Sequence, residues 1–217
     1  MQFRSSLMIC SLIVAALSFV QCSSSSNSPS NKTGDAGSGA AGCQTYCDAI
    51  TANCTGGDTS STSNQQYSDK SNCLAVCALF PVGAASDTSG DTLGCRTYHA
   101  NAAAGSAANA ALHCPHAGPS GDGVCGDVCT SYCRIAEKFC VGTSQVYTSD
   151  TDCMATCTAT PADARFNVSI QGSNERACLV YHAQEAALGG TNPADHCLGD
   201  LAKQANPAAT GGSLTCH

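Results

Sequence analysis

Four of the six histidines in this 217-residue chain occupy matched positions in its two halves, and they are the side chains best suited to chemistry. His99 and His182 each follow a tyrosine, whereas His113 and His196 each precede a cysteine. Neutral imidazoles held close together can ligate a transition metal, and one of them could instead ligate haem iron. The alternative interpretation is that these rings pack inside a rigid scaffold and hydrogen-bond a loop.

Sixteen of the eighteen cysteines form two sets of eight in the same order. Each set opens with Cys-x3-Cys-x6-Cys and continues with a second Cys-x3-Cys. The first set is Cys43, Cys47, Cys54, Cys73, Cys77, Cys95, Cys114 and Cys125, and the second is Cys129, Cys133, Cys140, Cys153, Cys157, Cys178, Cys197 and Cys216. This agreement indicates a duplicated module. In an exported chain, the even number per module favours disulfides over zinc clusters.

The sequence shows no arrangement of residues that is typical of an enzyme. It contains neither Gly-x-Ser-x-Gly nor His-Glu-x-x-His, and pairing of all sixteen cysteines leaves no thiolate as a nucleophile. The Cys-x2-Cys-His motif of covalent haem attachment is also absent. The sequence favours a protein without catalytic activity and does not decide the question.

The composition limits the apolar core and the choice of partner. Tryptophan is absent, 5% of the residues are aromatic and 12% are charged. Two modules of roughly 85 residues with so few large apolar side chains need covalent staples. With a net charge of −7, the chain has no row of basic residues to neutralise phosphates, which argues against a nucleic-acid partner.

The N-terminal residues predict export. Residues 1–21 contain an apolar run over 7–20, which has the length of a signal-peptide core rather than of a membrane span. Cleavage at an ordinary small-x-small site and lipidation of Cys22, as in bacterial lipoproteins, both stay open. Residues 22–42 are rich in Ser, Gly and Asn, and predict a disordered tether. The mature chain is expected to be extracellular, on the cell surface or periplasmic, with a lipid on Cys22 as its one membrane contact.

Helical periodicity predicts an all-α fold. In each module a first helix places three cysteines on one stripe, a second carries the next Cys-x3-Cys, and a third carries the Tyr-His pair. Proline or glycine follows the second and third helices, as is common after a helix C-terminus. The prediction is two tandem disulfide-stapled modules, residues 43–125 and 126–217, each with about three short helices.

The two Cys-x3-Cys segments of each module resemble the twin Cys-x3-Cys helical hairpins of small intermembrane-space chaperones and of plant hairpin peptides. The resemblance implies a hairpin geometry for these four cysteines and no activity. Residues i and i+4 of antiparallel helices then form two rungs. These rungs are Cys43–Cys77, Cys47–Cys73, Cys129–Cys157 and Cys133–Cys153. The other pairs that we favour are Cys54–Cys114, Cys95–Cys125, Cys140–Cys197 and Cys178–Cys216, one choice among on the order of 100 connectivities per module.

The whole chain also resembles the Cys-rich secreted or lipid-anchored proteins of myxobacteria and their relatives. The resemblance rests on the apolar leader, on Cys22 followed by serines, and on the segment 113–119. It implies no particular activity. Two functions stay open: a non-enzymatic structural or interaction module with an unknown protein or surface partner, and an extracellular haem- or metal-binding protein, with electron transfer as one role, that uses the repeated histidines.

Overall fold

The computed structural model describes residues 36–56, 63–162, 165–173, 175–190, 192–201 and 216. The predicted signal peptide, Cys22 and the first part of the predicted tether lie outside these residues. Throughout the described residues the regular structure is helical, which confirms the all-α prediction.

Within the described ranges eight helices follow one another, four in each repeat. They are α1 (Ala36–Asn53), α2 (Lys70–Cys77), α3 (Leu93–Ala102), α4 (Ala107–Ala117), α5 (Val128–Phe139), α6 (Asp150–Ala159), α7 (Arg176–Ala186) and α8 (Pro193–Leu201), the last wound as a π-helix. Short 3-10 turns occupy Gly121–Gly123 and Gly142–Ser144. The four helices of the first repeat correspond in order to those of the second.

Each repeat has one helix more than the sequence predicted, because α4 and α8 follow the helix that carries the Tyr-His pair. Ser106 caps α4 by accepting a hydrogen bond from the Asn109 amide at 3.1 Å. Pro115 lies inside α4 and has no N–H for the carbonyl of Ala111. Arg165 of the second repeat donates to that carbonyl at 3.3 Å instead. A tertiary contact therefore supports a proline that reads as a helix breaker.

The first helix begins at Ala36, within the segment 22–42 that was predicted to be a disordered tether. Glycines on α1 allow it to pass close to the start of α3. A Cβ atom added to Gly42 would lie 3.1 Å from the Leu93 side chain. Close packing against α3 thus extends the helix N-terminal to Cys43, although glycine has a low intrinsic helix propensity.

The core of each repeat is built from disulfides and paired tyrosines. In the first repeat the buried Tyr46 hydroxyl donates to the Ala117 carbonyl at 2.6 Å, so the Tyr67 hydroxyl, 2.8 Å away, donates to Tyr46. The equivalent hydroxyls of Tyr132 and Tyr147 lie 2.7 Å apart. Each buried phenol oxygen thereby has a partner, as burial of a polar group requires.

Eight disulfides join the sixteen cysteines of the two sets. They are Cys43–Cys77, Cys47–Cys73, Cys54–Cys114 and Cys95–Cys125 in the first repeat, and Cys129–Cys157, Cys133–Cys153, Cys140–Cys197 and Cys178–Cys216 in the second. These are the pairs that the sequence analysis favoured. Two of them in each repeat connect the first and second helices, and the other two attach the helices that carry histidine.

A partly buried ion-pair network joins the two repeats. The Arg96 side chain is fully buried over the Phe80 ring, 3.9 Å from its centroid, and donates to Asp91 at 2.9 Å. Asp91 also accepts hydrogen bonds from Arg134, which lies on α5 in the second repeat. Arg96 donates in addition to Ser131 at 3.3 Å. The one carboxylate therefore pairs with two guanidinium groups from different repeats.

Replacement of Asp91 by asparagine should destabilise the protein and change its pH dependence. Burial alone would raise the pKa of Asp91, but hydrogen bonds from Arg134 and the charge of Arg96 outweigh it and hold the pKa below its usual range. Such a carboxylate stabilises the fold above the ordinary pKa near 4, and this contribution disappears as pH falls through the lower, folded-state value. We expect Asp91→Asn to cost about 2 kcal/mol at neutral pH.

Urea unfolding of wild type and variant between pH 7 and pH 2 checks this expectation. The difference between them should shrink in acid. Asp48→Asn is the matched control, because Asp48 pairs with Lys70 on the surface and such pairs contribute about 0–1 kcal/mol. Equal effects of the two substitutions, or a difference that is independent of pH, would contradict this role of Asp91.

Candidate functional site

Two disulfides hold the rings of the first histidine pair in place. His99 lies on α3, one turn after Cys95, and Cys95 is bonded to Cys125. His113 lies on α4 immediately before Cys114, which is bonded to Cys54. The backbone is therefore fixed by a disulfide next to each imidazole. Little further conformational entropy has to be lost to bring the two rings together.

The first pair brings two Nδ1 atoms into contact. His99 Nδ1 and His113 Nδ1 are 2.9 Å apart, and the ring centroids are 5.1 Å apart. The other nitrogen of His99, Nε2, lies 3.2 Å from the Thr88 carbonyl. A carbonyl oxygen can only accept, so Nε2 carries the proton of the neutral ring and Nδ1 keeps its lone pair. His113 consequently donates its Nδ1–H to His99.

The second repeat reproduces this arrangement. His182 Nδ1 and His196 Nδ1 are 2.8 Å apart, with ring centroids again 5.1 Å apart. His182 Nε2 lies 2.9 Å from the Gln171 carbonyl, which fixes its tautomer in the same way. The structure therefore brings together, in two separate pairs, all four histidines that the sequence selected.

The inner ring of each pair is protected from solvent. His99 is 6% exposed and His182 is 3% exposed, whereas the two outer rings are half-buried. Burial lowers the pKa of His99, the nearby His113 lowers it further, and the hydrogen bond to the Thr88 carbonyl acts in the opposite direction. His99 is therefore neutral at neutral pH, as a metal ligand must be.

The geometry of each pair suits adjacent ligand positions on one metal ion. Imidazole nitrogens lie about 2.0–2.1 Å from a bound ion, so two that meet it at a right angle are about 2.9 Å apart. Two axial ligands on opposite faces of a haem iron would instead be about 4 Å apart. The separation within each pair is thus too short for a haem between the rings. It also equals the length of an N–H···N hydrogen bond, so the pair is complete without an ion.

The cysteines beside the inner histidines are not available as thiolate ligands. Sulfur atoms of Cys95 and Cys125 lie within 4.8 Å of a His99 nitrogen, and those of Cys178 and Cys216 lie as close to His182. Each of these sulfur pairs is a disulfide, which has no thiolate to offer. Their effect on the site is to fix the helices that carry the rings.

Sequence reasoning missed one histidine of the site. One nitrogen from each of His99, His113 and His116 lies within 4.8 Å of the others. The signal was the spacing of His113 and His116, which share a face if they are on a helix. Residue 116 follows the third helix, the last one that the sequence predicted for the module, whereas it is in the last turn of α4.

Comparisons with known proteins place this scaffold in a family. Residues 13–130 match the family described as the BfoA family C-terminal domain. Among curated proteins, Aurasperone B biosynthesis cluster protein A of Aspergillus niger is 33% identical over 96 residues. That segment is 44% of this chain and 28% of the fungal protein, so the chain covers little more than a quarter of its relative. No solved structure matches the chain.

Proposed function

The chain belongs to the BfoA C-terminal domain family, and we propose that it is a secreted or surface-anchored, non-enzymatic module whose two histidine pairs each bind a divalent transition metal ion. The observation that carries this proposal is the pairing of two imidazole nitrogens at 2.9 Å in one repeat and 2.8 Å in the other. In both pairs a backbone carbonyl fixes the tautomer of the inner ring.

The carbonyl contact favours binding over packing alone. Metal-ligating histidines usually donate their second N–H to a carboxylate, a carbonyl or water, which orients the ring and leaves the other nitrogen as the ligand. His99 and His182 have this arrangement before any ion is present. To complete the site, the outer ring needs only to carry its proton on Nε2 instead of Nδ1. The outer rings are only half-buried, so this change of tautomer can take place by proton exchange with solvent.

The short separation of the nitrogens favours copper(II). A tetragonal ion holds neighbouring nitrogens at right angles, about 2.9 Å apart, whereas a tetrahedral ion needs about 3.3–3.4 Å. Copper(II) also heads the affinity series of divalent first-row metals for nitrogen ligands. We expect each pair to supply two ligands to copper(II), with water or further groups in the other positions.

Location outside the cytoplasm is supported by the disulfides. Eight disulfides in one chain are typical of an oxidising compartment. Among the described residues, no helix is both long and apolar enough to cross a membrane. Attachment through a lipid on Cys22 and free secretion stay alternatives, because Cys22 lies outside the described residues. The resemblance to myxobacterial proteins likewise stays a hypothesis, since the curated relative is fungal.

The alternative function is a structural or interaction module in which the histidines only pack. One observation favours it: every hydrogen bond that an inner ring can make is already formed without a ligand. The relative's name places that protein in a biosynthesis cluster, and the matched segment is a small part of it. A domain of this kind could therefore serve as a stapled module within larger proteins, with an unknown protein or surface as its partner.

Titration calorimetry with copper(II), nickel(II) and zinc(II) distinguishes the two functions. Wild type should bind copper(II) most tightly, and His99→Gln and His182→Gln should each weaken one site by about 100-fold or more. Leu112→Gln, an exposed substitution next to His113, is the control and should leave binding unchanged. Binding should also weaken below about pH 6.5, where free imidazole becomes protonated. If both histidine variants bind as wild type does, the rings are packing residues.

A further inference from the structure

We propose that His116 completes the first histidine pair to a three-histidine site, so that the first repeat binds zinc(II) as well as copper(II). The inference rests on the proposed function, since it adds a third ligand to one of the two pairs. It concerns a residue outside the repeated pattern. Counted from the shared His-Cys, position 116 of the first repeat corresponds to Gly199 of the second, which offers no imidazole.

Three rings converge in the first repeat. One nitrogen each from His99, His113 and His116 lies within 4.8 Å of the other two. The His116 ring meets the His99 ring edge to face, with centroids 4.9 Å apart, and its centroid is 6.3 Å from that of His113. Tetrahedral coordination needs nitrogens about 3.3–3.4 Å apart. Zinc(II) would therefore require the His99–His113 pair, at 2.9 Å, to open slightly and the third ring to move inward.

The Nδ1 atom of His116 is buried and has no hydrogen-bond partner. The residue is 9% exposed, so little water reaches it. Buried polar atoms in native proteins are nearly always paired, and a specific exception calls for an explanation such as a bound ion. Each inner ring of the two pairs has a partner for both of its nitrogens, whereas the His116 ring does not. An ion at the centre of the cluster would supply the missing partner.

Two residues contact the Nε2 atom of the His116 ring. Arg165 Nη2 lies 3.1 Å from His116 Nε2, and Asp122 Oδ2 lies 3.4 Å from the same nitrogen. Arg165 and Asp122 are themselves joined at 2.8 Å. Since arginine only donates, the proton of the neutral ring sits on Nδ1 in this arrangement.

When an ion binds, Asp122 can replace Arg165 as the hydrogen-bond partner of His116 Nε2. If the ring proton moves to Nε2, the Asp122 carboxylate accepts a hydrogen bond from Nε2–H, and Nδ1 is left with a lone pair for the metal. A carboxylate behind a ligating histidine is a common outer partner, and loss of such a partner typically lowers metal affinity 10- to 100-fold. Asp122 has a φ of 47°, so its backbone adopts the left-handed conformation and directs the side chain back toward α4.

Zinc(II) binding should distinguish the first repeat, which has three histidines, from the second, which has two. Two imidazoles alone bind zinc(II) weakly compared with copper(II), whereas three imidazoles form a known type of zinc site. In a His182→Gln background, which removes the second pair, zinc(II) should still bind with one ion per chain. His116→Gln in that background should then lower the zinc(II) affinity about tenfold or more.

Asp122→Asn provides a second test that keeps all three histidines. Asparagine tolerates the left-handed conformation, so this variant should fold normally. It should weaken zinc(II) binding about tenfold, and Asp150→Asn, on α6 of the other repeat, should not. If His116→Gln and Asp122→Asn both bind zinc(II) as their parent does, the third ligand is refuted. Absence of zinc(II) uptake by the parent refutes it too, and copper(II) binding to the same protein then shows whether the proposed function survives.

Discussion

Complete reduction should convert the protein from a helical to an unfolded state at neutral pH. The disulfides close loops with sequence separations from 20 to 60 residues, and each contributes about 3–4 kcal/mol in the chain-entropy description. The remaining apolar core is thin, because half-cystines and alanines form much of it. The free energy of unfolding of a typical domain is only about 5–15 kcal/mol. The loss of all eight disulfides exceeds this value, so the reduced chain should not stay folded.

Far-UV circular dichroism before and after reduction and alkylation measures this effect. The unreduced protein should keep its helical signal, and its peptides from residues 43–217 should take up no alkylating reagent. After reduction, all sixteen cysteines of these peptides should be labelled and the helical signal should be lost. Retention of the native spectrum in a fully labelled protein would mean that packing, and not the disulfides, holds the fold together.

Gly94→Ala should be the most damaging single methyl addition among the described glycines of the helices. Gly94 lies in the first turn of α3, and its amide donates to the Val82 carbonyl at 3.1 Å. A Cβ atom at this position would lie 1.9 Å from the carbonyl oxygen of Ala84, which is backbone and cannot rotate away. The incoming loop would have to detach from α3, so we expect a loss of about 3 kcal/mol or more in unfolding free energy.

Gly39→Ala is the matched control for this prediction. Gly39 is in α1, where an added Cβ atom would meet only the Val82 side chain, at 4.0 Å. Alanine is the better helix former, so this variant should be stabilised by about 0.5–1 kcal/mol. Urea unfolding of both variants gives the two numbers. A Gly94→Ala protein as stable as wild type would show that the Ala84 carbonyl does not lie against position 94.

The parts of the fold that follow a strict sequence pattern could be predicted. The Cys-x3-Cys spacing predicted that the first two helices of each repeat pack against each other. The matched positions in the two repeats identified the four paired histidines. Helical spacing carries this information locally, because residues i and i+4 share a face. The division into modules 43–125 and 126–217 stays a prediction, because the described residues belong to one compact unit with contacts between the repeats.

The features that the sequence did not reveal depend on distant residues. Helix α4 contains Pro115, which leaves the Ala111 carbonyl without a helical donor, and that carbonyl accepts from Arg165 of the second repeat. The start of α1 depends on packing against Leu93, more than forty residues further along the chain. His116 was overlooked for the same reason, since the helix that carries it was not expected. In each case a tertiary contact outweighs the local propensity of the segment.

Native mass spectrometry of the copper(II)-loaded protein is the most direct test of the central claim, that each repeat presents a metal-binding histidine pair. Wild type should carry two copper ions per chain, His99→Gln and His182→Gln one each, and the double variant none. All variants should keep eight disulfides, which the same spectra report as a mass 16 hydrogens below that of the fully reduced chain. Copper-free wild type, or a double variant that still carries two ions, would contradict the account.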